Sequence, residues 1–171
     1  MFAKSGYGPN KPLTLTLTYH NKDEQKKIAL AVQAMWENVL GITVNLQALE
    51  WKAFLQTRRE GSLQISQDDW FADFPIVRTY LDIFSCSNID NAPHFCNQSY
   101  ENLLKQASIT LDQQQQIALY KQALLLLNNS YVIAPLVQAS SVILIKPYVK
   151  GYNPQDNHFG YVKSQWMRLE N

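Results

Sequence analysis

Regular patterning begins at Leu13. Residues Leu13 to Tyr19 (LTLTLTY) alternate apolar and polar with period two, which predicts a half-buried strand rich in β-branched threonine. Pro12 sits just ahead of it, where a missing N–H is tolerated. Asn21 followed by Glu24 has the spacing of a capping box. The helix it opens is predicted to run to about Leu40, with Ile28, Val32, Met35 and Val39 on one buried face. Gly41 then stands where a left-handed cap belongs. Ile42 to Leu49 (ITVNLQAL) alternates again and predicts a second strand. Trp51 to Arg59 reads as a short helix with Trp51, Phe54 and Leu55 apolar, Arg58 and Arg59 at its end, and Gly61 as its stop. Leu63 to Ser66 predicts a short, central strand. Strand, helix and strand in this succession call for a parallel or mixed sheet covered by helices.

In the second half, Ile76 to Phe84 reads as helical, and Ser99 to Ser108 as a further short helix with Leu103, Leu104 and Ala107 inward. Thr110-Leu-Asp-Gln113 is a second capping-box candidate. Its helix would bury Ile117, Tyr120, Ala123, Leu124 and Leu127. Val132 to Lys146 (VIAPLVQASSVILIK) is two apolar runs broken at Gln138-Ala-Ser-Ser141, predicting two strands or one bent strand. Pro147, Gly151 and Pro154 end regular structure, and Tyr161, Trp166 and Met167 are the expected anchors of the tail, Asn153 to Asn171. There is no internal repeat and no clear linker, so the pattern describes one domain or one piece of one.

Composition narrows the function classes. The 171 residues are 46% hydrophobic and 17% charged, enough apolar matter for a soluble core. A formal net charge of +1 without a Lys/Arg run offers no footprint for nucleic acid. No stretch approaches the roughly 18 consecutive apolar residues of a membrane helix. The opening MFAKSGYGPNKP lacks an apolar core after its lysine, so it is not expected to act as a secretory signal. Cys86 and Cys96 flank a loop of turn formers, SNIDNAPHF, and either bridge it or remain free thiols. No metal-ligand spacing surrounds them, since only His94 is near.

Catalytic residues are not in evident supply. His20, His94 and His158 lie in unrelated segments without triad order, and no glycine-rich phosphate loop occurs. Asp68, Asp69 and Asp73 form the one acidic cluster. Asp73 has two readings: a helix N-cap ahead of Pro75, or a carboxylate that neutralises a cationic ligand group beside Trp70 and Phe71. Arg58 and Arg59 suit a helix C-terminus as dipole complements, and Trp51 and Trp70 are core residues or ligand platforms.

Between Glu50 and Asp73 the chain resembles the periplasmic oligopeptide-binding proteins, the peptide-binding branch of the extracellular solute-binding proteins that serve ABC importers. The residues that carry the resemblance are Glu50-Trp51-Lys52, Phe54-Leu55, Thr57-Arg58, Gly61 and Trp70-x-Ala72-Asp73. Ala3-Lys-Ser-Gly-Tyr7, Leu119-Tyr120 and Lys146-Pro-Tyr-Val-Lys-Gly-Tyr152 extend it over essentially the whole chain. The resemblance implies an α/β (mixed α+β) fold: a periplasmic-binding-protein-like lobe with a mixed sheet flanked by helices. Residues 1–152 would be an incomplete second lobe, and 153–171 a tail crossing back to a first lobe that this chain lacks. By the same resemblance Asp73 pairs with the α-ammonium of a short peptide and Arg58 holds its carboxylate end. Trp51 lines a side-chain pocket, while backbone groups around Trp70, Phe71 and Ala72 pair with the peptide main chain.

Two positions depart from the family pattern. Gln67 stands where oligopeptide-binding members often carry a second arginine, which implies weaker carboxylate anchoring or a different preferred ligand. Phe71 replaces a frequent cysteine, while Cys86 and Cys96 sit where dipeptide-binding relatives place a bridged loop. The implied protein is periplasmic and non-enzymatic, without cofactor or metal. Its partners would be short peptides, the membrane permease of an ABC importer and the missing N-terminal lobe, with no nucleic acid. Rival readings are a ligand-sensing domain of a cytoplasmic regulator and a gene remnant that binds nothing.

Overall fold

The computed structural model describes residues 4–8, 10–74, 76–140, 142–153 and 164–170, and they divide into two compact units. The first takes in residues up to Asp69 and returns at Cys86–Phe95; the second comprises Trp70–Ser85 and the chain from Cys96 onward.

In the first unit the elements run β1 (Thr14–His20), α1 (Asp23–Leu40), β2 (Thr43–Leu49), α2 (Trp51–Arg59) and β3 (Ile65–Gln67). The three strands form a parallel sheet in the order β2-β1-β3. The long alternating strand β1 is therefore central, and the shorter β3, expected there, lies beside it at the edge of the described sheet. Leu17 and Tyr19 of β1, Ala29 and Val32 of α1, Ile42, and Val44 of β2 make the buried core. Each fully buried aliphatic side chain of this kind contributes about 1.5–3 kcal/mol.

α1 buries only half of the expected face: Ile28 and Val32 turn inward, but Met35 and Val39 do not. Ala29 and Val32 are buried with Ile28, Trp36 and Leu40 against them, whereas Met35 and Val39 are 63% and 79% exposed. Two apolar stripes interleave on this helix, and the one containing Ala29 wins because a methyl side chain lets helix and sheet approach closely. The helix starts at Lys22 without a side-chain cap, so the Asn21–Glu24 box does not form; Asp23 and Glu24 instead complement the dipole of the first turn. At its other end Gly41 adopts φ 64° and returns its N–H to the Glu37 carbonyl, as expected of a left-handed cap. The polar face of α1 has a second task. Glu37 Oε1 accepts from the Val44 N–H at 3.0 Å and Gln33 Nε2 donates to the Val44 carbonyl, so both edge groups of β2 at that residue are satisfied.

The second unit is mainly helical. α3 (Arg78–Leu81) and one 3₁₀ turn (Asp82–Phe84) occupy the region expected to form one helix, followed by α4 (Gln98–Ile109) and α5 (Gln113–Asn129). Leu81, Tyr100, Leu104, Ala107, Tyr120, Ala123 and Leu127 are its buried apolar residues. Tyr100 is fully buried and donates from its hydroxyl to the Leu81 carbonyl at 2.8 Å. Burial pushes its phenol well above the ordinary range, with the charges of Asp82 and Glu101 adding to the shift. Asp112, not Thr110, caps α5 by accepting from Gln115 N at 2.7 Å. Thr110 closes α4 instead, its hydroxyl bonded to the Gln106 carbonyl. Ile117 and Leu124, expected inside, are exposed.

Among the described residues of 132–146 no strand forms, although two strands or one bent strand were expected; Leu136, Val137, Val142 and Leu144 are exposed there. These apolar runs have no neighbouring strand to pair with among the described residues. β4 (Val149–Lys150) pairs antiparallel with β5 (Arg168–Leu169), while Trp166 is exposed and Met167 partly buried. The expected anchor Tyr161 lies outside the described residues.

Candidate ligand-binding site

The residues singled out by sequence divide between the two units. In the first, α2 carries Trp51 and Arg58 at an i, i+7 spacing with Phe54 between them, which places all three on one side of the helix. Glu50 caps it, its carboxylate accepting from Lys52 N at 2.9 Å. Phe54 is completely buried. Trp51 stays 47% exposed, stacked on Phe54 with ring centroids 6.1 Å apart and edge-on to His20 at 5.0 Å. Trp51 is therefore not a core residue: it is half exposed, with Phe54 and His20 supporting its ring.

Arg58 departs from expectation. Its side chain is only 10% exposed and its guanidinium is already shared between two carboxylates, Nη1 to Asp68 at 2.8 Å and Nη2 to Asp90 at 3.1 Å. Ser66 donates to the other oxygen of Asp68 and holds that carboxylate in place. Both terminal nitrogens of the guanidinium are thus committed to a structural clamp, while the buried Nε has no partner among the described residues. The clamp ties α2 to the end of β3 and to the Cys86–Phe95 segment. The surface-charge reading of Arg58 fails, because the residue is buried. Next to it, Arg59, Asn88, Asn91 and His94 line a cleft of about 300 Å³.

Gln67 is likewise committed inward. It is 6% exposed and its amide nitrogen donates to both the backbone and the side-chain oxygen of Gln25, in the first turns of α1, while its own buried Oε1 has no partner among the described residues. Sequence reasoning placed it at the ligand; the structure places it under α1.

In the second unit the anchor segment is open. Trp70 is fixed by its indole N–H, which donates to the Thr79 carbonyl at 3.0 Å. Phe71 is 71% exposed and Ala72 partly buried. The backbone N–H and C=O groups of Trp70, Phe71 and Ala72 make no hydrogen bond to the described residues. Asp73 is exposed, and among the described residues its carboxylate has neither a hydrogen bond nor an ion pair. The helix that follows is preceded by Val77 and has no side-chain cap, so the N-cap reading of Asp73 does not hold. Both cysteines of the chain, Cys86 and Cys96, are disulfide-bonded.

Asp90, Gln25, His20 and Thr79 are the neighbours that the sequence did not yield. Asp68 was visible as an acidic residue across a glycine turn from Arg58. Asp90 lies 32 positions from Arg58, and no local pattern announces that pairing.

Comparison with known proteins follows the same lines. Residues 1–92 match the bacterial extracellular solute-binding proteins, family 5 Middle. The periplasmic murein peptide-binding protein MppA of Escherichia coli is 36% identical over 91% of this chain, and the periplasmic oligopeptide-binding protein OppA of Salmonella typhimurium is 32% identical over 98%. The chain spans 30% and 31% of those two relatives' lengths. The solved structure of Burkholderia pseudomallei OppA superposes with a TM-score of 0.87 at 36% identity, covering 99% of this chain and 33% of that one. The fold is that of the periplasmic binding proteins. From the match over its first 92 residues, the chain belongs to family 5 of the bacterial extracellular solute-binding proteins.

Proposed function

We propose that this chain supplies the amino-terminal anchor of a periplasmic peptide-binding protein that delivers short peptides to the permease of an ABC importer. The observation that carries the reading is Asp73: an exposed carboxylate that, among the described residues, has neither a partner nor a capping role, next to three residues whose backbone groups make no hydrogen bond to the described residues. A peptide α-ammonium would form a charge-assisted hydrogen bond with that carboxylate, and the peptide main chain would pair with Trp70, Phe71 and Ala72 as an added strand. Main-chain pairing accepts peptides with little regard to side chains. Arg58 and Gln67 act indirectly, by holding α2, β3 and α1 in register. The names of MppA and OppA support a peptide ligand and a periplasmic setting. The disulfide supports an oxidising compartment over the cytoplasm, where a regulator would keep its cysteines reduced. The assigned role is binding without catalysis.

The test is native mass spectrometry of the purified chain, kept non-reduced, against a pool of two- to five-residue peptides. Wild type is expected to retain peptides with free amino termini, and Asp73→Asn to lose them. Equal retention by both proteins, or preference for acetylated peptides, contradicts the assignment.

A further inference from the structure

Between Trp70 and Val77 the described residues form no helix or strand, so the shape of the segment that presents Asp73 depends on a few cross-links. Four of these converge on one residue. The Thr79 carbonyl accepts from the Trp70 indole at 3.0 Å. The Thr79 hydroxyl reaches the carbonyls of Ile76 at 2.7 Å and Phe74 at 3.1 Å, its single hydrogen shared between them. The Thr79 backbone N–H also points to the Ile76 carbonyl at 3.3 Å. Trp70 and Phe74 stand on either side of Asp73 in the chain, so both flanks of the carboxylate are tied to the same point. That point is itself anchored. Thr79 belongs to α3, and α3 ends at Leu81, a buried residue whose carbonyl receives the hydroxyl of fully buried Tyr100.

We infer that Thr79 is a positioning residue: through its hydroxyl and carbonyl it fixes the segment that carries Asp73, and so sets where a ligand's ammonium is met. The inference rests on the reading of Asp73 proposed above. A serine keeps the hydroxyl and the backbone bonds; a valine keeps the shape and removes only the hydroxyl.

The experiment compares wild type, Thr79→Val, Thr79→Ser and Asp73→Asn in the full chain, with two readouts. The first needs no ligand: proton exchange at the Trp70 indole by NMR, its resonance assigned from its loss in Trp70→Phe. Thr79→Val is expected to speed that exchange about fivefold, the change produced by losing one ordinary hydrogen bond, and Thr79→Ser to leave it near wild type. The second is the affinity ratio of trialanine to N-acetyl-trialanine, read by NMR titration at millimolar peptide. Thr79→Val is expected to lower this ratio, with Thr79→Ser restoring it. Unchanged indole exchange in Thr79→Val overturns the inference, as does an equal loss of affinity for both peptides. If Asp73→Asn abolishes the ratio while Thr79→Val keeps it, the inference alone fails. If Asp73→Asn leaves the ratio intact, the reading of Asp73 fails and the inference falls with it.

Discussion

At Arg58 a single guanidinium holds two carboxylates that come from segments far apart in sequence. Removing it leaves Asp68 and Asp90 without their common cation. Arg58→Met, which keeps the bulk, is expected to lower unfolding free energy by about 2–3 kcal/mol in urea denaturation. That is below the value for a fully buried pair, because each carboxylate keeps nearly a third of its surface in water. Adding Asp68→Asn and Asp90→Asn to the same variant should recover part of the loss; no recovery would mean that packing, not charge, is what Arg58 provides. Gly61 is a second sensitive position. Its φ is +67°, and a Cβ there would lie 2.7 Å from the His94 ring. Gly61→Ala is expected to cost about 1–2 kcal/mol from the backbone alone. Combining it with His94→Ala should relieve only the steric part, again read by urea denaturation. At this scale the sequence was partly legible. Trp51 and Asp73 were visible as candidates because aromatic and acidic residues at an element end draw attention, and the structure removes the capping alternative for Asp73. The inward bonds of Arg58 and Gln67 were not legible, because their partners, Asp90 and Gln25, are distant in the chain and no spacing rule could pair them.

Elements were more legible than their faces. The period-two runs gave β1 and β2 within a residue of their ends, since strict alternation over seven residues puts apolar side chains on every side of a helix but on one face of a strand. The buried faces of α1 and α5 were harder, because both helices carry more apolar residues than one face can hold. On α1, packing chose Ala29 at the close approach, and a pattern that ranks residues by hydrophobicity undervalues alanine. The assignment of the α5 face has a direct check. Leu127→Ala should cost about 2–5 kcal/mol, whereas Leu124→Ala, on the exposed side, should stay within about 0.5 kcal/mol. Comparable losses at the two positions would contradict the observed face. The failed strands of Val132–Lys146 have a different cause. A strand is defined by its neighbour, and the apolar pattern gives no information on whether that neighbour is present in the same chain.

Across the whole molecule, stability should depend on alkaline pH through Tyr100. Its phenol is raised in the folded state by burial and by Asp82 and Glu101, so the folded chain holds the proton after the unfolded chain begins to release it. The resulting contribution is fully present below about pH 10, the ordinary tyrosine value, and is lost as pH rises above it. Tyr100→Phe, although lower in stability at neutral pH by about 1 kcal/mol for the lost hydrogen bond, should show a flatter decline between about pH 10 and pH 12 in thermal melts. An identical slope in both proteins would place the alkaline transition elsewhere. The chain's overall correspondence to about a third of MppA and OppA makes its own binding capacity the point on which the account turns. That capacity is most directly measured by NMR titration of the isotope-labelled chain with trialanine and with N-acetyl-trialanine. The account predicts shifts at the amides of Trp70 to Asp73 and an acetylated peptide that binds about fivefold more weakly, as fits one exposed charge-assisted contact. Equal affinity for both peptides, or shifts that leave Trp70 to Asp73 untouched, would contradict it.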